Sequence, residues 1–268
     1  MPWCILGWLM IKTIFFDLDG TLYSHTQKRV PNTTIYAFDQ LKQLGIKRIL
    51  CTGRHVRELE QLGFFELGLD FDGYILLNGQ LILDKDLNYI DGTPIDEEET
   101  KKIVRVFNEK KIPLILETKE ELFCNVYDDF YVEGLRAVNT EPFPIKEYNN
   151  EQIYQVSTYV KKDVKEYLQK EFSGCFMTSW NEYGALFVNK QGGKSKGIEK
   201  YLKSVNETPK ETMAFGDGDN DLDMLEYCGV GVGMGNGTKN VIEHCDYLTE
   251  TIDNDGLYLA LKHLGVIC

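Results

Sequence analysis

The stretch from Ile11 to Leu22, Ile-Lys-Thr-Ile-Phe-Phe-Asp-Leu-Asp-Gly-Thr-Leu, constrains the fold more than any other part of the chain. Ile14-Phe15-Phe16 is a short run of β-branched and aromatic residues, the pattern of a strand buried on both faces. It breaks into Asp17, Leu18, Asp19 and Gly20, and Asp and Gly are poor strand residues, so the strand ends there. In an open parallel sheet, ligands bind beyond the carboxyl ends of the strands. Two carboxylates two residues apart at such an edge repel each other unless a cation lies between them or one keeps a proton. A solitary Asp-x-Asp reads as a pair of loop caps; three later segments change that reading.

The chain up to residue 83 alternates strand and helix. Asn32 is positioned to cap a helix carrying Ile35, Phe38, Leu41 and Leu44, with Gly45 as its stop. Residues 46–51 form a second strand, ending at Thr52-Gly53-Arg54, and a helix follows near 56–62. A third strand at 73–77 closes on Asn78-Gly79, a hairpin signal, with Leu81-Ile82-Leu83 continuing as a strand. The order implies a doubly wound parallel sheet. Between about 84 and 188 the character changes. Asp96-Glu97-Glu98-Glu99 reads as a capping box before a helix with Ile103, Val104 and Phe107. Short strands near 113–117 and 122–127 follow, then a half-buried strand at 152–159 and a helix capped by Asp163. A hairpin from Phe176–Trp180 and Ala185–Asn189 closes the segment. This is an α+β insert. The first style then returns, with a helix at 196–204, a strand at 212–215 ending in Gly216-Asp217, and a helix at 220–227. Strands at 230–232 and 247–248 and a last helix at 257–264 complete the chain. The fold class expected is therefore α/β: a Rossmann-like doubly wound core, residues 10–83 plus 189–268, interrupted by an α+β domain at 84–188.

The formal net charge of −13 argues against nonspecific nucleic-acid or anionic-membrane partners. The Cys residues show no Cys-x-x-Cys pair, and no His-Glu-x-x-His occurs, so neither a zinc site nor a disulfide framework is suggested and a cytoplasmic location is expected. Met1–Met10 is uncharged, too short to span a bilayer, and lacks the basic start of a signal peptide. Met10 is read as the biological start and residues 1–9 as an extension.

Three strand ends carry polar clusters: Asp17-Leu18-Asp19, Thr52-Gly53-Arg54, and Gly216-Asp217-Gly218-Asp219-Asn220-Asp221. In one parallel sheet these meet at one edge, and such acid density calls for a hard cation with oxygen ligands, which suits Mg²⁺. Gly192-Gly193-Lys194-Ser195-Lys196-Gly197 adds two cations before a helix, either of which could offset phosphate charge. The glycines from Gly229 to Gly237 give no frame of Gly-x-Gly-x-x-Gly, and Val188 stands where the first glycine of a P-loop should be, so both nucleotide-binding readings fail. Thr52 also reads as a helix N-cap, Asp219 as a solvated turn residue, and Cys51 as a buried structural thiol. The aromatics Phe123, Tyr127, Phe130, Tyr131, Trp180 and Tyr183 read mostly as core of the insert.

These segments, in this order and with this insert, resemble the haloacid dehalogenase (HAD) superfamily of phosphatases, and more narrowly its Cof-like branch with a C2-type cap domain. The resemblance also covers Met234-Gly235-Asn236-Gly237 and Asn254-Asp255-Gly256. It implies Asp17 as the nucleophile that becomes an aspartyl phosphate, and Asp19 as general acid and then base, its main-chain carbonyl also meeting the metal. It implies Thr52, Gly53 and Asn220 on the substrate phosphate, Lys194 (favoured over Lys196) orienting it, and Asp217 and Asp221 at Mg²⁺; Arg54 reads either as a surface charge or as a further substrate-binding residue. The activity implied is hydrolysis of a small phosphorylated metabolite, such as a sugar, pyridoxal or flavin phosphate, by a monomer or homodimer. The cap would close over the site and select the substrate. A sugar phosphomutase of the same superfamily and a non-catalytic binding protein are the alternatives.

Overall fold

The computed structural model describes residues 11–137, 140–179 and 184–268. The expected N-terminal extension and start at Met10, and the residues Trp180 and Tyr183, lie outside the described residues. The chain packs as two compact units. One comprises the described residues up to Arg54, with Gly63–Asp91 and Lys194–Cys268; the other comprises His55–Leu62 and Gly92–Gly193. The division falls at 91/92 and 193/194, where the sequence pattern pointed to 83/84 and 188/189.

In chain order the elements are β1 (Thr13–Phe16), α1 (Asn32–Gln43), β2 (Lys47–Cys51), α2 (Val56–Gln61), β3 (Gly73–Leu76), β4 (Leu81–Asp84) and β5 (Tyr89–Gly92). Then come α3 (Glu97–Glu109), β6 (Ile115–Glu117), β7 (Leu122–Cys124), α4 (Asp129–Ala137), β8 (Gln155–Tyr159), α5 (Lys162–Glu171), β9 (Cys175–Thr178) and β10 (Gly184–Asn189). The chain ends with α6 (Lys194–Val205), β11 (Thr212–Gly216), α7 (Leu222–Tyr227), β12 (Val230–Gly233), α8 (Lys239–His244), β13 (Tyr247–Leu248) and α9 (Gly256–His263).

The first unit is built on a sheet of order β13-β12-β11-β1-β2-β3-β4-β5, parallel from β13 to β3, with β4 antiparallel to β3. The order reverses at β1, which lies between β11 and β2 with Phe16 level with Phe215 and Leu50. β1 is fully buried, and its alternate residues feed two layers. Phe15 joins Ile49, Ile75 and Ala214 under α6 and α7, with Tyr201 edge-on at 6.0 Å. Phe16 turns the other way, against Phe38 of α1 at 4.8 Å. Helices on both faces explain why β1 is a continuous apolar run.

The second unit has its own sheet, β7-β6-β8-β10-β9, whose neighbouring strands are all antiparallel. One face packs on α3 and α5 through Ile103, Phe107, Leu168 and Phe172; the other carries Ile115, Cys124 and Tyr159 against Tyr131 and Leu135 of α4. Covering both faces buries all of β8, which the alternating pattern had read as half-buried.

Several local readings are corrected. Asn32 is the first residue of α1 and Pro31 its cap; Lys161, not Asp163, caps α5. No capping box forms at α3, because Asp96 Oδ1 accepts from Asn189 Nδ2 (3.2 Å) and Glu99 pairs with Lys102. Asn78-Gly79 belongs to a four-residue connection rather than a two-residue hairpin, since Leu76 pairs with Leu81. Helices α4 and α8 were missed, although each has a polar N-terminal acceptor, with Asp128 Oδ1 accepting from Tyr131 N and Thr238 Oγ1 from Val241 N.

Glu117 of β6 is 1% exposed and has neutral partners on β8: its carboxyl accepts from Gln155 Nε2 (3.1 Å) and from the Ser157 hydroxyl. Burial, then the charge of Glu58, pushes it up to about 8. Because the folded-state value lies above the ordinary carboxyl value, the folded protein holds the extra proton. This contribution to stability is complete below the ordinary range, declines as pH rises by up to about 1.4 kcal/mol per pH unit, and is lost above the folded value. Urea unfolding measured across this window is expected to show a decline in the wild type that Glu117→Gln lacks.

Candidate active site

Asp17 stands one residue beyond β1, its N–H donating to Phe215 O of β11 at 3.0 Å, so it lies at the point where the strand order reverses. Asp217 and Asp221 follow β11. Carboxylate oxygens of Asp17, Asp217 and Asp221 lie within 4.8 Å of one another. Lys194, the first residue of α6, enters this group with a fully buried side chain and donates to Asp17 Oδ1 (2.6 Å) and Asp221 Oδ1 (2.5 Å). Lys196 instead pairs with Glu199 on the surface of α6. Asp221 is used on both sides: its Oδ2 accepts from the backbone N–H groups of Asp217 and Gly218, each at 2.9 Å.

The charges do not balance. Three carboxylates face one ammonium, an excess of two negative charges in a buried place. Burial, then the charge of Asp221, pushes Asp17 up, and the same two causes push Asp217 up to about 7. Burial alone would lower Lys194, but the charges of Asp17 and Asp221 outweigh it and hold the ammonium protonated. An oxygen-only donor set with an excess of two negative charges fits a divalent hard cation.

Asp19 is set apart from this cluster. Arg54 grips it with two bonds, Nε to Oδ2 at 2.7 Å and Nη2 to Oδ1 at 2.8 Å, and His25 Nε2 lies 2.7 Å from Oδ1. Burial pushes the Asp19 carboxyl up, but the hydrogen bonds from His25 and Arg54 and their charges outweigh it, holding it well below the usual carboxylate range.

Thr52 is buried at the end of β2, and its Oγ1 accepts from Arg54 N at 3.3 Å. It does not cap α2; His55 does, its Nδ1 accepting from Arg57 N. Gly53 lies against Asn78, whose amide atoms would be 3.0–3.1 Å from a Cβ at that position, so any side chain there would require Asn78 to give way. Asn78, in left-handed backbone (φ 54°), accepts from Asn220 Nδ2 at 3.1 Å, which joins the ends of β2, β3 and β11. Asp219 is exposed and accepts from Thr238 Oγ1. Cys51 is buried, and burial pushes its thiol up, so it stays neutral.

Some residues of the site were not singled out as site residues from sequence. Thr21 Oγ1 donates to Asp217 Oδ1 (3.2 Å), and Asn236 Nδ2 reaches Gly20 O (2.9 Å) and Asp217 Oδ2 (3.3 Å). Gly20 has φ +84° and leaves room for Asp217, whose Oδ2 would be 2.3 Å from a Cβ there. Asp223 accepts from Ser195 N and Oγ at the start of α6. Asn78, Thr21 and Asn236 all sit inside motifs that were read for turns or family pattern, and that was the available signal.

Comparisons with known proteins give the family. A family model described as haloacid dehalogenase-like hydrolase matches residues 14–261. The chain belongs to this family. YkrA of Bacillus subtilis is 30% identical over 260 residues, spanning 96% of this chain and 98% of its own. The structure of a phosphatase of the haloalkanoate (HAD) superfamily from Bacteroides thetaiotaomicron aligns with TM-score 0.86 at 30% identity over 98% of each chain. A HAD subclass IIB sugar phosphatase aligns with TM-score 0.82 at 28% identity, over 96% of this chain and all of its own. The protein is thus a phosphatase-type hydrolase of the Cof-like branch, with the expected α/β core and a second α+β unit. Among the described residues no helix is long and apolar enough to cross a membrane.

Replacing Lys194 with methionine would leave the buried carboxylates without their cation. Lys194→Met is expected to lose about 3–5 kcal/mol of stability in urea unfolding with EDTA present, whereas Lys196→Met is expected to stay within about 0.5 kcal/mol of wild type.

Proposed function

We propose that this phosphatase hydrolyses a small phosphorylated metabolite, a sugar phosphate or similar, with Mg²⁺ and through an aspartyl phosphate on Asp17. The observation that carries the reading is the under-neutralised group of buried Asp17 and Asp221 and half-buried Asp217 around Lys194, beside a separately held Asp19. Asp17 and Asp217 would hold the metal with the main-chain carbonyl of Asp19, and Asp221 would support them; when bound, the ion supplies charge neutralisation for the phosphoryl oxygens.

The chain's own residues divide the remaining work. A carboxylate oxygen of Asp17 attacks phosphorus as the bond to the leaving oxygen breaks, and Asp19 gives that oxygen a proton. Asp19 then takes a proton from water as the water oxygen bonds to phosphorus and Asp17 is freed. Lys194 keeps Asp17 oriented and offsets phosphoryl charge. Thr52, the Gly53 amide and Asn220 stand at the neighbouring strand ends to hold phosphoryl oxygens. Arg54 contributes by gripping Asp19 in addition to any contact with the substrate. The sugar-phosphate class draws support from the sugar phosphatase above. It is also supported by a Bacillus subtilis relative named 5-amino-6-(5-phospho-D-ribitylamino)uracil phosphatase, 25% identical over 93% of this chain and 96% of its own.

Phosphate release from a panel of sugar, pyridoxal and flavin phosphates, with Mg²⁺ or with EDTA, tests the reading. Release is expected with the metal, and Asp17→Asn is expected to lower it at least about 1,000-fold. Full activity in Asp17→Asn, or release unaffected by EDTA, would sink the mechanism.

A further inference from the structure

Both oxygens of the Asp19 carboxylate are engaged. An ionised carboxylate offers about four acceptor positions, two on each oxygen. Oδ1 receives Arg54 Nη2 at 2.8 Å and His25 Nε2 at 2.7 Å; Oδ2 receives Arg54 Nε at 2.7 Å. Because the carboxylate oxygen can only accept, the imidazole is the donor at Oδ1. Among the described residues, then, Oδ1 is filled and Oδ2 keeps one acceptor position.

The local chain builds this arrangement. Asp19 and Tyr23 form a bridge, with Gly20 N donating to Tyr23 O at 3.0 Å, and the turn brings residue 25 back beside residue 19. The Tyr23 ring meets the His25 ring edge-on, centroids 5.2 Å apart and planes at 79°. The His25 side chain is 59% exposed, so it adds little to the core; among the described residues its polar contact with another side chain is the one with Asp19.

We propose that His25 is a positioning residue for Asp19: by filling the second acceptor position of Oδ1, it confines proton exchange with the substrate to Oδ2. The proposal rests on the phosphatase reading above. In the first step Asp19 enters with a proton on Oδ2, the state that the second step restores; the Oδ2–H bond breaks and the proton passes to the leaving oxygen as that oxygen's bond to phosphorus breaks and the Asp17–phosphorus bond forms. In the second, Oδ2 takes a proton from the attacking water as the oxygen–phosphorus bond forms and the Asp17–phosphorus bond breaks. Arg54 sets the plane of the carboxylate and His25 sets which oxygen works. A leaving alkoxide needs that proton; a 4-nitrophenolate does not.

Single-turnover kinetics with Mg²⁺ and two probes, a hexose 6-phosphate and 4-nitrophenyl phosphate, separate this role from a structural one. His25→Phe keeps a ring against Tyr23. It is expected to slow sugar release about tenfold, leave the half-saturating concentration within about twofold, and leave 4-nitrophenolate release within about twofold. His25→Gln, whose amide nitrogen can donate from a similar reach, is expected to recover sugar release to within about threefold of wild type. Equal slowing of both probes, no slowing of either, or a glutamine variant as slow as the phenylalanine one would each overturn the positioning role. Wild-type protein that releases product from neither ester would overturn the phosphatase reading, and this proposal with it.

Discussion

The ammonium of Lys194 is the interaction on which the site depends. A buried lysine is tolerated only when it is paired, and here it is paired twice, with Asp17 after β1 and Asp221 after β11. It therefore ties the first turn of α6 to two neighbouring strand ends. The carboxylates are equally dependent on it: Asp17, Asp217 and Asp221 repel one another, and one cation only partly offsets them. The geometry is stable as built, yet under-neutralised, which is the electrostatic condition for taking up a dication. The sheet supplies the rest, since the strand order reverses at β1, the place at which open parallel sheets bind ligands.

The two aspartates of the opening motif sit two residues apart in very different surroundings. Asp17 is buried among other acids and pushed up; Asp19 is gripped by Arg54 and His25 and held low. The difference is set by neighbours rather than by sequence: acids crowd Asp17, while an arginine and a histidine donate to Asp19. A separate carboxyl shift occurs in the second unit, where Glu117 has neutral partners and pays for its burial with a proton. The carboxyl group thus behaves differently in each place, according to whether acids, cations or neutral donors stand beside it.

Much of this was legible in the chain. The abrupt change from Ile14-Phe15-Phe16 to Asp17-Leu18-Asp19 marks a buried strand ending in charge, because apolar and charged residues cannot share one dry strand. The repetition of that change after β2 and β11, separated by helical periodicity, is enough to specify a parallel sheet with its polar ends on one edge. Lys194 was recoverable from its place before a helix, with Gly197 behind it. The insert was less legible. Its strands are covered on both faces, so β8 lost the contrast that alternation depends on, and the Asp96 signal was diverted to Asn189. Helix α4 went unread because it is short and carries Gly134, a weak helix former, between its buried Tyr131 and Leu135.

The sequence by itself determined the fold class, the order of the parallel strands of the core, and the residues that carry the acid cluster, because hydrophobic period and strand-end chemistry are local properties. Only the tertiary structure decided who partners whom. Arg54 lies 35 residues from Asp19 and Lys194 lies 177 from Asp17, and no local pattern says that the first pair will join and leave Oδ2 its open position, or that the second will be buried. Nor does any local pattern show that Asn78 links the ends of β2, β3 and β11, or that His25 returns to Asp19 across a tight turn. Those pairings follow from strand register and from the backbone freedom of a few positions, and both are properties of the packed sheet.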